Sequence, residues 1–166
     1  MQSSVIIRDL KLDDMQQVLT LAEEAHGESS YSHLDFDPEV ITSMAVTWVA
    51  NPEVYFCKLV TSQENKIFAM YVGLISSYYF GKDLVANDLL LFVSQDRRGG
   101  IAAARLIKEF EDWAFANGAK EIRPASSTGV KTEETRQLYN ALGLSLIHIS
   151  EPTRPLYISY AVFCLK

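Results

Sequence analysis

The chain has 166 residues, 48% of them hydrophobic, 22% charged and 11% aromatic, a size and balance that fit one globular domain and exclude disorder, collagen-like repeats and a disulfide scaffold. Fifteen lysines and arginines against twenty-one aspartates and glutamates leave a formal charge of −6. That balance argues against general binding to nucleic acid or an anionic membrane and favours cationic or amine-bearing partners.

Val5–Arg8 reads as a first strand, β1, and Leu12, Met15, Val18, Leu19 and Ala22 then recur at helical spacing through Glu24 as α1, with Asp13 and Asp14 near its start. The segment from His26 to Asp37, with Gly27, Ser29, Ser30 and Ser32, breaks that period. Asp37-Pro38-Glu39 then opens a second helix, α2, over Pro38–Ala50, which Asn51-Pro52 stops. Val54–Thr61 (β2) and Lys66–Tyr79 (β3) are β-rich runs joined by the polar turn Ser62–Asn65 and expected to pair antiparallel. Asp88–Ser94 (β4) leads through Gln95–Gly100 into an amphipathic helix, α3, whose Ala103, Leu106, Ile107, Phe110, Trp113 and Ala114 share one face and whose cap is Gly118. Glu121–Ala125 (β5), the loop Ser126–Lys131 and a helix over Thr132–Leu142 (α4) follow. Without repeats or linkers, this pattern predicts a single α/β or α+β layered domain.

Cys57 and Cys164 lie far apart in apolar surroundings without a CxxC or Cys/His cluster, and so read as buried free thiols. His26 and His33 lack ligand companions, so no metal is expected. No apolar signal region follows the first residues and no apolar stretch is long enough to span a bilayer, which gives cytoplasm as the expected compartment.

The most informative stretch runs from Leu89 to Ala103, a strand passing through the basic, glycine-containing turn Arg97-Arg98-Gly99-Gly100 into a helix. Such a turn aims backbone N–H groups at phosphate oxygens, and the helix N-terminus adds partial positive charge. An ordinary strand-to-helix turn accounts for the glycines as well. With the element order β1-α1-α2-β2-β3-β4-α3-β5-α4, however, residues 1–143 resemble the GCN5-related N-acetyltransferase (GNAT) family. The resemblance implies a mixed, mostly antiparallel central sheet flanked by helices, and a loop of the form Gln/Arg-x-x-Gly-x-Gly/Ala that binds the pyrophosphate of acetyl-coenzyme A. Arg97-Arg98-Gly99-Gly100-Ile101-Ala102 satisfies that spacing. A second register starts from Arg98 and puts Ile101 where glycine is usual and Ala103 at the final small position. The text is also similar to the subset of such enzymes encoded by tailed bacteriophages, through His26-Gly27-Glu28-Ser29 and His33-Leu34-Asp35-Phe36-Asp37-Pro38-Glu39.

Leu138-Tyr139-Asn140-Ala141-Leu142-Gly143-Leu144 resembles the family's second signature, which makes Tyr139 the candidate general acid for the departing thiolate. Tyr139 and Leu142 also share a helix face with Thr135 and Leu138, so a core tyrosine remains an alternative. An amine acceptor must lose a proton, having a reference pKa of about 10.4. Asp88 could take it directly or through water, or could simply bond backbone groups at a strand end. The resemblance places Glu28, Tyr31 and His33 beside the acceptor site, with Glu28 and Asp35 able to select an amine, although a solvated loop also explains their charges. It further implies that backbone N–H groups of Phe92 and Val93 polarise the thioester. A splay between β4 and β5 would admit the pantetheine arm, with Ser126 and Ser127 on its other wall.

Leu144–Arg154 and Ile158–Leu165 look like the translated ends of a transposon-based sequencing adapter, with Pro155-Leu156-Tyr157 in the space of an index, as an assembled metagenomic read would carry. Residues 144–166 are therefore expected to be a non-native tail, and the remainder is slightly more acidic without Glu151, Arg154 and Lys166. The tail's apolar runs could still pair as surrogate closing strands, and a genuine β-hairpin is the alternative. The sequence thus predicts transfer of an acetyl group from acetyl-coenzyme A to a primary amine on a small molecule, peptide or protein, with homodimerisation common in the family. A non-catalytic binding or phage-structural module, or use of a longer acyl group, are the competing readings.

Overall fold

Eleven consecutive strand residues of mainly apolar character, Ile67–Ser77, can be satisfied only where both faces of a sheet are covered. The structure, a computed structural model describing residues 5–123, 125–126, 137–138, 140–141 and 148–149, puts this strand at the centre of the sheet. The observed elements are β1 (Ile6–Asp9), α1 (Met15–Glu28), α2 (Pro38–Ala50), β2 (Tyr55–Thr61), β3 (Ile67–Ser77), β4 (Leu84–Val93), α3 (Ala102–Ala116), β5 (Ala119–Arg123), β6 (Ala125–Ser126) and β7 (His148–Ile149). The five-stranded sheet has the order β1-β2-β3-β4-β5. Its first three pairings are antiparallel and β4 to β5 is parallel, the geometry that a crossover through α3 requires.

Two apolar layers close the sheet. On one face Leu106, Ile107, Phe110 and Ala114 of α3 pack on Phe56, Tyr71 and Ala86. On the other, Val18, Leu21 and Ala25 of α1 and Ala45 of α2 pack on Leu59, Met70, Val72 and Phe92. Asp37 caps α2 by accepting a hydrogen bond from the Glu39 N–H at 2.8 Å, with Pro38 at the first helical position as the sequence predicts. Beyond α3 the chain turns at Gly118, whose φ of 88° is costly for any residue with a side chain.

Several boundaries differ from the sequence reading. α1 continues past Glu24 to Glu28, because tertiary partners described below hold its last turn despite Gly27. β4 begins at Leu84 rather than Asp88, since Tyr78 N–H donates to Asp83 O at 2.7 Å and extends the hairpin ladder with β3. β5 begins at Ala119 rather than Glu121, because its parallel pairing to Leu84 starts there. Of the segment expected as α4, residues 137–138 and 140–141 are helical and the remainder lies outside the described residues. Within the expected tail, His148–Ile149 pairs in parallel with Ala125–Ser126.

Entry into α1 is set by an ion pair. Asp14 accepts from both terminal nitrogens of Arg8, at 2.7 and 2.8 Å, and from the Lys11 N–H at 2.9 Å. The Arg8 hydrogen bonds hold the Asp14 carboxyl below the usual carboxylate range, with the Lys11 N–H adding to the effect and burial opposing it. A depressed folded-state value means that the unfolded chain binds the extra proton first. The pair's contribution is therefore full above the unfolded value of about 4 and fades as the pH falls through the lower folded one. Asp14→Asn is expected to cost about 1–2 kcal/mol at neutral pH. In denaturant melts at decreasing pH, the gap between variant and parent should narrow only below about pH 4; a gap independent of pH would contradict the assignment.

Candidate functional site

Pairing of β3 with β4 slips by one residue between Val72 and Gly73: Val72 faces Leu90, whereas Gly73 faces Asp88. Leu89 is the extra residue of a β-bulge, and it reverses the facing of everything after it. Ala86 packs on the α3 side, whereas Leu90 and Phe92 pack on the α1/α2 side. Parallel pairing with β5 ends at Asn87 and Arg123. The described β4–β5 ladder therefore stops one residue short of Asp88.

Ser94 N–H donates to Phe68 O at 2.8 Å, which marks these opposed residues as a hydrogen-bonded pair. Antiparallel pairs alternate, so Phe92 is turned to β3 for bonding whereas Leu91 and Val93 turn their N–H and C=O groups to the other edge of β4. The Val93 carbonyl is used there, accepting from Arg98 Nε at 2.9 Å.

At the end of this edge the chain makes one turn of 3-10 helix, Gln95–Arg97, and reverses at Gly99 with φ 84° before α3 begins. Ile101 occupies the N-cap position of α3 and offers no side-chain acceptor. The first intrahelical bond is Arg105 N–H to Ile101 O at 3.0 Å, so the N–H groups of the preceding turn have no acceptor within the helix. Ala102, Ala103 and Ala104 add no bulk over them. An uncapped helix N-terminus behind a positive-φ glycine, flanked by two arginines, fits an anionic phosphate group.

No protein-family model matches the sequence, and no curated protein is similar to it at the sequence level. Solved structures are similar in three dimensions. Glucosamine-6-phosphate N-acetyltransferase from Arabidopsis thaliana superimposes with a TM-score of 0.70 at 13% identity, covering 92% of this chain and 99% of that one. An aminoglycoside acetyltransferase from an uncultured soil metagenomic sample gives 0.64 at 16% identity over 91% and 99%. A GNAT family acetyltransferase from Staphylococcus aureus gives 0.58 at 16% identity over 73% and 85%. The fold is that of the GNAT acetyltransferases.

Within this acetyltransferase fold, α1 clasps the loop with two carboxylates one turn apart. Glu24 accepts from the Gln95 N–H at 3.0 Å, and Glu28 takes both terminal nitrogens of Arg98, at 2.7 and 2.9 Å. Glu28 is thus the last residue of α1 rather than part of the connecting loop. Arg97, 42% exposed, lies over the Phe68 ring at 5.3 Å, while Arg98, 18% exposed, lies over Phe92 at 5.2 Å. Among the candidate acceptor residues, Tyr31 is half-buried and His33 exposed, both in the α1–α2 connection that follows Glu28. Asp35 is exposed in the same connection.

Asp88 is 2% exposed, and its register opposite Gly73 puts it on the face covered by α3, beside the end of the β4–β5 pairing. Ser126 belongs to β6. Ser127 and Tyr139 lie outside the described residues, as does Cys164. Cys57 is buried, and desolvation, with Asp9 adding to it, pushes its thiol up to about 12, so it is not a nucleophile at neutral pH. Among the described residues there is no group of three or more metal-ligating side chains, and no helix is long and apolar enough to cross a membrane. Sequence reasoning missed Glu24 and Leu91. The i, i+4 spacing of Glu24 and Glu28 was a usable signal, whereas the outward turn of Leu91 depends on the bulge.

Proposed function

We propose that this protein transfers an acetyl group from acetyl-coenzyme A to a primary amine by direct attack. The observation that carries the reading is the conjunction, within an acetyltransferase fold, of Leu91 and Val93, whose N–H groups turn away from β3, with an uncapped α3 N-terminus immediately beyond them. Acetyl-coenzyme A, when bound, supplies an activated thioester carbonyl and a pyrophosphate.

In this reading Gly99, Gly100, Ile101, Ala102 and Ala103 offer backbone N–H groups to the pyrophosphate, and Arg97 and Arg98 add charge. The Val93 N–H, with that of Leu91, turns away from β3 and can donate to a carbonyl oxygen acquiring charge. Phe92 shapes the same strand through its side chain, which is anchored in the α1/α2 layer. Ser127 would stand on the opposite wall. As the amine nitrogen forms its bond to the acetyl carbon and the carbon–sulfur bond breaks, Asp88 accepts the amine's proton and Tyr139 gives one to the thiolate.

The acceptor enters past Glu28, Tyr31 and His33. An amine suits the acidic chain, and the proteins similar in fold are named for a glucosamine phosphate and for aminoglycosides, both amine-bearing. Calorimetry with acetyl-coenzyme A, followed by thiol release over a panel of sugar amines, polyamines, aminoglycosides and peptides, tests the proposal. Absence of cofactor binding would sink it, whereas binding without turnover on any amine would leave a non-catalytic binding module. Tyr139→Phe is expected to lower kcat by about 10²-fold with coenzyme A affinity unchanged; full activity would remove Tyr139 from the mechanism.

A further inference from the structure

Arg98 is saturated. Its Nε donates to Val93 O at 2.9 Å, and its two terminal nitrogens reach Glu28 Oε2 and Oε1 at 2.7 and 2.9 Å. The fork thus holds a planar two-oxygen anion, the same pattern that it presents to a phosphate. Glu28 is also at the wrong end of its helix. A carboxylate in the last turn of α1 faces the negative pole of the helix dipole, so the local sequence does not favour it there. Arg98 is what holds that carboxylate, and the contact ties the end of α1 to the loop two residues before Gly100.

The tie is releasable. Glu28 is the last residue of its helix, before the chain turns extended at Ser29, so its side chain can part from Arg98 without unwinding a helical turn. Glu28 remains 29% exposed and Arg98 18% exposed, so parting them does not strand a charge in a dry interior.

We propose that Glu28 is an internal competitor for the phosphate site, occupying the Arg98 fork in the cofactor-free protein and yielding it to the pyrophosphate of coenzyme A. This rests on the acetyltransferase reading above. Displacement leaves the Glu28 carboxylate without its cation at the head of the α1–α2 connection, where the acceptor's ammonium can replace it. Cofactor binding and the charge of the acceptor side are thereby coupled through one side chain.

Coenzyme A itself, which carries the pyrophosphate and no acetyl group, is the probe, with calorimetry as the readout. Glu28→Gln is expected to tighten coenzyme A binding about two- to fivefold, the range that release of one partly exposed ion pair implies. Glu28→Asp, which keeps the charge on a shorter arm, should give a smaller gain. Arg98→Gln should weaken binding, and in that background Glu28→Gln should bring no further gain. Unchanged or weaker binding by Glu28→Gln would make the pair a strut that organises the loop and would overturn the proposal alone. A gain that persists without Arg98 would assign the effect to general repulsion and overturn it as well. Failure of the unaltered protein to bind coenzyme A would remove the acetyltransferase reading and this inference with it. Melting curves of each variant separate loss of binding from loss of fold.

Discussion

Phe110→Ala is expected to destabilise the protein by about 3–5 kcal/mol, enough to lower the melting temperature of a chain this size by roughly 10 °C. Phe110 is 1% exposed and is the point where α3 is keyed into the sheet. Its ring lies 4.7 Å from that of Tyr71, 5.3 Å from Phe56 and 5.8 Å, stacked, from Trp113. Truncation removes all three contacts and leaves a hole that the sheet cannot collapse to fill.

The ring also occupies the space of a missing side chain. A Cβ built on Gly73 would overlap Phe110 Cε2 and lie 2.8 Å from its Cζ. Gly73→Ala alone should therefore cost about 1–3 kcal/mol through overpacking. In the Phe110→Ala background it should cost less, because the ring that it strikes has gone and only the Asn87 carbonyl oxygen, 3.1 Å from that Cβ, still crowds it. Denaturant melts of the two single variants and the double variant measure this coupling. Equal cost of Gly73→Ala in both backgrounds would show that Gly73 is required for some reason other than the ring.

Asp88→Asn is expected to lower kcat by about 10²–10⁴-fold, the usual contribution of a positioned general base, while leaving coenzyme A affinity within about twofold of the parent. Asp88 immediately precedes the bulge and lies one residue beyond the last β4–β5 pair. It is therefore a buried carboxylate just past the described β4–β5 pairing, shielded from bulk water. A base must be ionised to act, so turnover by the parent should fall on the acid side of the pH profile, and the asparagine variant should lose that dependence together with its rate. Near-normal turnover in Asp88→Asn with an unchanged acid limb would transfer the role to another group or to water. Asparagine is close in size to aspartate, so a matched melting temperature would confirm that chemistry rather than packing had been removed.

These two expectations draw on different kinds of information. The apolar face of α3, with Leu106, Ile107, Phe110 and Ala114, is written in its 3.6-residue period and appears in the structure as read. The same holds for the Asp37-Pro38 start of α2 and for the Gly118 turn, since each rests on a local preference that acts within a few residues. The β-rich runs of β2 and β3, read as an antiparallel pair, likewise appear so. The loop from Arg97 to Ala103 was legible because glycine, arginine and a following helix carry their chemistry in residue type and order.

The bulge at Leu89 was not legible in this way, because Asp88-Leu89-Leu90-Leu91-Phe92 has no alternation to reveal which side chain is out of step. Only pairing with β3 across the slip at Gly73 decides it, and with it the face of every later residue and the outward turn of Leu91 and Val93. The end of α1 was hidden for a similar reason. Gly27 and the serines after it suggest termination, whereas the bonds to Gln95 and Arg98, about seventy residues away, hold the helix through Glu28. Sequence by itself thus determined the elements from β1 to β5, their order and the arginine- and glycine-containing turn that leads into α3, because these follow from short-range preference and periodicity. Tertiary structure alone decided where the described β4–β5 pairing ends and which carboxylate meets which arginine. Strand register and long-range ion pairs are settled by the packing of distant segments, which no local window contains.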